Sequence, residues 1–244
     1  MITAKFATAF AALALLAAPH AVFAQQRKDD TPPVAFGDNA GKPDEEAAPK
    51  ANRTYMPIDY DAASDPENVW VLDLSNGQRV KIRLQADWAP AHVERIKTLT
   101  RAGFYDGVVF HRVIDGFMAQ GGDPTGTGQG GSELPDLKAE FNPMPHVRGT
   151  LSMARAASDD SANSQFFIVF YPRFSLDKKY TNVGRVIENM EAIDAINRGE
   201  PPATPSYIVQ ASIAADNKAP PPPPAPAADE PVTADMLSAP LPGK

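Results

Sequence analysis

The chain has 244 residues, with 30 acidic against 23 basic side chains, a net charge of −7 and no cysteine. The missing cysteines exclude disulfides, thiolate metal sites, a cysteine nucleophile and a lipidated cysteine anchor. A pI near 5.1 without any run of lysine and arginine argues against a nucleic-acid partner.

The 25 prolines are about twice average usage, and they crowd both ends, so the folded unit is predicted in the middle. After Lys5 the apolar run Phe6 to Ala18 falls short of the roughly 20 residues a membrane span needs, and Val22-Phe23-Ala24 offers small residues for cleavage. Residues 1–24 are therefore predicted to be a signal peptide and the mature protein to be exported to the periplasm, with no membrane span once the peptide is removed. Residues 25–67 are polar, rich in Pro, Asp, Ala and Lys, and show no period of 2 or 3.6, which predicts a disordered leader. Within it, Tyr55 to Tyr60 has the side chains to pack against a domain.

The domain is predicted over residues 68–216. Val69 to Leu74 and Arg79 to Leu84 flank Ser75-Asn76-Gly77-Gln78, and Asn-Gly is a strong hairpin signal because both residues tolerate positive φ. In the second strand Val80, Ile82 and Leu84 alternate with Arg79, Lys81 and Arg83, predicting one buried and one wet face. Pro90 suits a first helical position, Val93, Ile96, Leu99 and Thr100 make a helical stripe, and Gly103 ends it. His92 on that helix is expected to be a solvent-facing or edge residue and not a ligand. Phe110 to Asp123 (FHRVIDGFMAQGGD) starts as an alternating strand, turns at Asp115-Gly116, resumes at Phe117 and closes on Gly121-Gly122-Asp123. Gly126, Gly128 and Gly131 fit G-x-G-x-x-G, but Glu133-Leu134-Pro135-Asp136 is a poor helix to follow a nucleotide fingerprint, so Thr125 to Ser132 reads as a glycine loop near a cleft. Lys138 to Phe141, Gly149 to Arg155, Gln165 to Val169 and Val183 to Ile187 read as further strands. Met190, Ile193 and Ile196 mark a second helix, and Tyr207 to Ile213 a last strand. Many short strands with one early and one late helix point to a mainly β, antiparallel barrel rather than βαβ units. Residues 217–244 form a Pro-rich, disordered tail prone to polyproline II.

Two stretches, Phe110 to Asp123 and Ser164 to Phe170 (SQFFIVF), resemble the cyclophilin family of peptidyl-prolyl cis-trans isomerases. The resemblance spans Asn68 to Asp216 and implies a closed eight-stranded antiparallel β-barrel capped at its ends by two α-helices. It implies Arg112 as the catalytic residue, a proline pocket of Phe117, Met118, Phe167 and Leu176, and Gln120 positioning Arg112 and the substrate. Ala154 and Arg155 lie where the family hydrogen-bonds the substrate backbone, Gln165 joins the substrate-binding set, and Tyr180 lies where many members have histidine. Arg155 replaces a common asparagine, and its added cation would favour acidic residues near the substrate proline. Ser175 stands where cyclosporin-sensitive members have tryptophan. The expected protein is a monomer that needs no cofactor or metal and acts on proline-containing polypeptides.

Those residues also fit the chemistry. Turning an X-Pro bond breaks amide resonance, and a charged, rigid donor such as guanidinium, aimed at the prolyl nitrogen, favours the twisted form over either planar isomer. His20, His92, His111 and His146 lack metal-ligand spacing and no G-x-S-x-G elbow occurs, so metal and serine-hydrolase chemistry are set aside. The competing reading is a proline-binding module without catalysis, which would need neither Arg112 nor Gln120.

Overall fold

Two strands, β1 (Val69–Leu74) and β2 (Arg79–Leu84), pair antiparallel as the first hairpin. Gly77 takes φ +78 at its tip, and its N–H donates to the Leu74 carbonyl. The computed structural model describes residues 55–222, so the predicted signal peptide, the leader before Tyr55 and the tail beyond Pro222 lie outside the described residues.

Val80, Ile82 and Leu84 are buried as their alternation requires, while Arg79 and Lys81 pair with Asp73 and Glu188. Arg83 departs from the expected wet face. It is 3% exposed because residues 59–65 lie over it, and its guanidinium donates to the carbonyls of Asp59, Asp61 and Asp65. The same segment is tied down further along, where the Trp88 indole N–H donates to the Met56 carbonyl at 2.9 Å and the Met56 N–H to Asp87 at 2.7 Å.

Helix α1 (Pro90–Arg101) starts on its proline and buries Val93, Ile96, Leu99 and Thr100. His92 is buried as well, contrary to its expected place at the surface, because Nδ1 lies 2.8 Å from a Glu140 carboxylate oxygen. Six further strands follow: β3 (Arg112–Ile114), β4 (Met118–Gly121), β5 (Thr150–Met153), β6 (Phe166–Val169), β7 (Asn182–Glu188) and β8 (Ile208–Ile213), with the short α2 (Met190–Asp194) before β8. Lys138 to Phe141 is not a strand. Its backbone donors are taken by side chains, Ala139 N–H by Asp160 and Glu140 N–H by the Thr181 hydroxyl, so no ladder forms.

All strand pairs are antiparallel, in the order β3-β4-β6-β5-β7-β2-β1-β8. The expected closed barrel is not formed: the sheet is open and strongly curled, with its edges 14 Å apart. The reason lies at β3. Its Val113 exchanges both backbone hydrogen bonds, 2.8 Å each, with Gly199 in the loop before β8, so that loop, and not β8, occupies the outer side of β3. Beyond it, the segment before β3 meets the start of β8 through the short bridge of Val109 with Tyr207, closed by Phe110 N–H to the Ser206 carbonyl and Ile208 N–H to the Val108 carbonyl.

Inside the curl, Trp70 meets Tyr105 and Phe166 edge-on at 5.1 and 5.0 Å, with Leu72, Ile82, Leu151 and Ile168 packed around them. α1 packs against β8 and α2 against β2. No helix among the described residues is long and apolar enough to cross a membrane.

Candidate active site

Strand alternation sends one set of side chains into the core and its neighbours to the opposite face. Across the register, Val113, Ala119, Ile168 and Leu151 form a row that belongs to the core. One residue away, Arg112 stands opposite Gln120, Gln120 opposite Phe167, and Phe167 opposite Ser152. A parallel row holds Ile114, Met118 and Val169. The stretch Phe110 to Asp123 thus builds a core wall and a functional face from alternate residues.

On that outer face lies a second apolar cluster, separate from the core: Phe117, Met118, Phe167, Val169 and Leu176, with Ile114, Ala154 and Tyr180 packed against it. Leu176 enters from a 3-10 turn at Phe174–Leu176. Phe167 is clasped between Tyr180, edge-on at 5.5 Å, and His146, stacked at 6.3 Å. The Arg173 guanidinium sits 5.0 Å from the Phe117 ring centroid. Ala154 also lines an adjoining polar cleft of about 500 Å³ whose walls include Gln120, Gly130, Asp136, Arg155 and Asn163.

Arg112 is about a quarter exposed, and its Nε donates to Glu200 Oε2 at 2.7 Å. Gln120, expected to position Arg112, instead donates to Gln165 Oε1 at 2.9 Å, and Gln165 in turn donates to the carbonyls of Gly128 and Gly130. Those carbonyls belong to the glycine loop, which wraps around Asp123. Its fully buried carboxylate accepts from the N–H groups of Thr125, Thr127, Gly128 and Gly130 and from the Thr125 hydroxyl. Burial pushes this carboxyl up, but those donors together bring it down to about 2.

Arg155 does not project as a free cation. It pairs with Asp159, donates to the carbonyls of Lys179, Ala156 and Ala157, and lies 5.0 Å from the Tyr180 ring centroid. Burial raises the Tyr180 phenol, and the Arg155 and Arg112 charges act against it. Beneath the apolar cluster His146 bridges Asp177 at 2.8 Å and the Ser152 hydroxyl at 2.7 Å, and burial holds its imidazole below the usual value despite Asp177. His111 is buried with neither ring nitrogen hydrogen-bonded among the described residues, and burial lowers it too.

The structure therefore brings all ten residues named from the sequence to one face. Ile114 and Val169 were missed although the same alternation marks them. His146 and Glu200 reach the site from segments distant in sequence and carry no motif.

The family model for cyclophilin type peptidyl-prolyl cis-trans isomerases matches residues 71–213. A probable peptidyl-prolyl cis-trans isomerase of Brucella suis is 46% identical over 173 residues, covering 64% of this chain and 88% of the relative. Among solved structures, a cyclophilin from Hirschia baltica is similar with a TM-score of 0.58 and 28% identity, over 68% of this chain and 83% of that one. A Cryptosporidium parvum cyclophilin type isomerase, crystallised in the presence of the dipeptide Ala-Pro, has a TM-score of 0.55 and 28% identity over 59% and 98% of the respective chains.

Proposed function

The chain belongs to the cyclophilin family of peptidyl-prolyl cis-trans isomerases and isomerises X-Pro peptide bonds, and from that premise we propose that Arg112 carries the reaction while the outer apolar cluster holds the proline ring. The observation that supports this is the cross-strand row that sets Arg112 beside Gln120 and Phe167, next to the cluster of Phe117, Met118 and Leu176.

The uncatalysed barrier is about 18–20 kcal/mol, because the C–N bond has partial double-bond character. As the bond twists, the prolyl nitrogen pyramidalises and regains a lone pair. The Arg112 Nε is engaged with Glu200, which leaves the Nη groups to donate toward that lone pair. Such a donor meets a good acceptor only in the twisted state, so it lowers the barrier instead of merely tightening binding. Phe117, Met118, Phe167 and Leu176 take the pyrrolidine ring, and Gln120, Gln165, Ala154 and the backbone of Arg155 receive the flanking peptide in the adjoining cleft. Tyr180 closes one side against Phe167.

Exchange NMR on a short X-Pro peptide tests the assignment. Arg112→Ala is expected to lose about 10²-fold or more of the acceleration while the peptide still binds. A variant within threefold of the wild type removes Arg112 from the catalytic role.

The signal-peptide reading of residues 1–24 supports exported polypeptides as clients and the periplasm as the place of action. The acidic balance supports a role without nucleic acid, and we expect the protein to work as a monomer. Cell fractionation and light scattering check these.

A further inference from the structure

The loop between α2 and β8 continues the catalytic row past the sheet edge. Val113 and Gly199 pair through two backbone hydrogen bonds of 2.8 Å in an antiparallel bridge, which sets Glu200 opposite Arg112. Gly199 also bridges Pro202, and a Cβ at Gly199 would stand 2.5 Å from the Pro202 Cα, so the fold-back that presents Glu200 needs glycine. Arg198 anchors the same loop by pairing with Asp115 at 3.2 Å and lying 4.3 Å from the Phe170 ring centroid.

On one side of Arg112 stands Gln120, whose amide is turned to Gln165. On the other stands Glu200, whose carboxylate takes the Arg112 Nε–H at 2.7 Å. We propose that Glu200 is the positioning residue for Arg112: by fixing Nε it sets the plane of the guanidinium and reserves the Nη groups for the prolyl nitrogen. This rests on the catalytic reading of Arg112 given above. A long, partly exposed arginine samples many rotamers, and each time it leaves the productive one the donor is lost. A charge-assisted bond to a carboxylate held on a paired backbone restricts that sampling before substrate arrives. Half-exposed ion pairs add little to stability, so the pair's effect is expected in turnover and not in unfolding.

The experiment is a cycle by exchange NMR and thermal unfolding on the wild type, Glu200→Ala, Arg112→Ala and the double variant, with Glu200→Gln as the conservative control. Glu200→Ala is expected to lower kcat about tenfold with KM within twofold and the melting temperature unchanged. Glu200→Gln, whose amide oxygen still accepts from Nε, should stay within about threefold of wild type. In the Arg112→Ala background the Glu200→Ala change should alter the rate by less than twofold. The Arg112 Nε–H signal in nitrogen-15 spectra should be resolved and slowly exchanging in the wild type and lost in Glu200→Ala. Equal losses from Glu200→Ala in both backgrounds, or an unchanged kcat, overturn the proposal. If Arg112→Ala alone retains activity, the reading of Arg112 fails, whereas an Nε–H signal untouched by Glu200→Ala refutes the positioning contact itself.

Discussion

Replacing Asp123 by asparagine tests how far the glycine loop supports both the fold and the site. The carboxylate is fully buried and receives four backbone N–H groups, with Thr127, Gly128 and Gly130 on Oδ2 at 3.1, 2.6 and 3.1 Å and Thr125 on Oδ1 at 2.7 Å. Asparagine keeps one acceptor, so its amide nitrogen must face at least the Thr125 N–H. Holding the wild-type carboxyl at about 2 instead of 3.8 amounts to roughly 2 kcal/mol, and the newly unsatisfied donor adds to that, for about 2–4 kcal/mol in all. With the slope usual for urea, the unfolding midpoint at pH 7 should drop by about 1–2 M. The pH dependence has a definite sign. A depressed carboxyl stabilises the folded state above its unfolded value and loses that contribution as pH falls through its folded value, so the gap between wild type and Asp123→Asn should narrow between about pH 4 and pH 2. Because the loop carbonyls of Gly128 and Gly130 hold Gln165, and Gln165 holds Gln120, KM for peptide should rise in the variant as well. Midpoints within about 0.3 M of each other at pH 7 would refute the cradle argument.

His146 and His111, two of the buried imidazoles, give a second pH window. Burial lowers His146 and His111 below the usual 6.5; between the folded and unfolded values the unfolded chain binds more protons, so stability is full above about pH 6.5 and declines as pH falls below it. Urea midpoints measured from pH 7.5 to pH 5 should fall, less steeply in His146→Asn, and a flat profile for the wild type contradicts the assignment. Arg83→Met removes the donor that gathers the carbonyls of Asp59, Asp61 and Asp65 but keeps an apolar stem over the sheet; limited proteolysis should then cut residues 59–65 at least tenfold faster while the domain stays intact, and equal cutting rates would show that other contacts hold the segment.

The sequence is most readable where structure is set locally. The hairpin from Val69 to Leu84 and the helix from Pro90 to Arg101 follow from period, proline and an Asn-Gly turn, all within a few residues. Alternation through Arg112, Ile114, Met118 and Gln120 likewise divides core from site, since the pleat leaves no other choice. Arg83 fails the same test because alternation names a face without naming what later covers it. His92 and Lys138 to Phe141 depend on partners far along the chain, Glu140 for the first, Asp160 and Thr181 for the second. Closure of the sheet is a property of the whole circuit. Only the pairing of Val113 with Gly199 determines what lies beside β3. Glu200 sits in a proline-rich loop with nothing in its spacing to distinguish it from a solvated glutamate.

The division of β3, β4, β6 and the β5 stretch that runs on to Ala154 into inward and outward residues bears on how this protein can change. Val113, Ala119, Leu151 and Ile168 face the core, while Ile114, Gln120 and Ala154 border the site. Drift in substrate preference can therefore accumulate on the outward set without passing through unfolded intermediates. A library randomised at those three outward positions should retain its folded fraction while its preferred peptides diversify, whereas one randomised at the inward four would be winnowed by folding before selection for activity began.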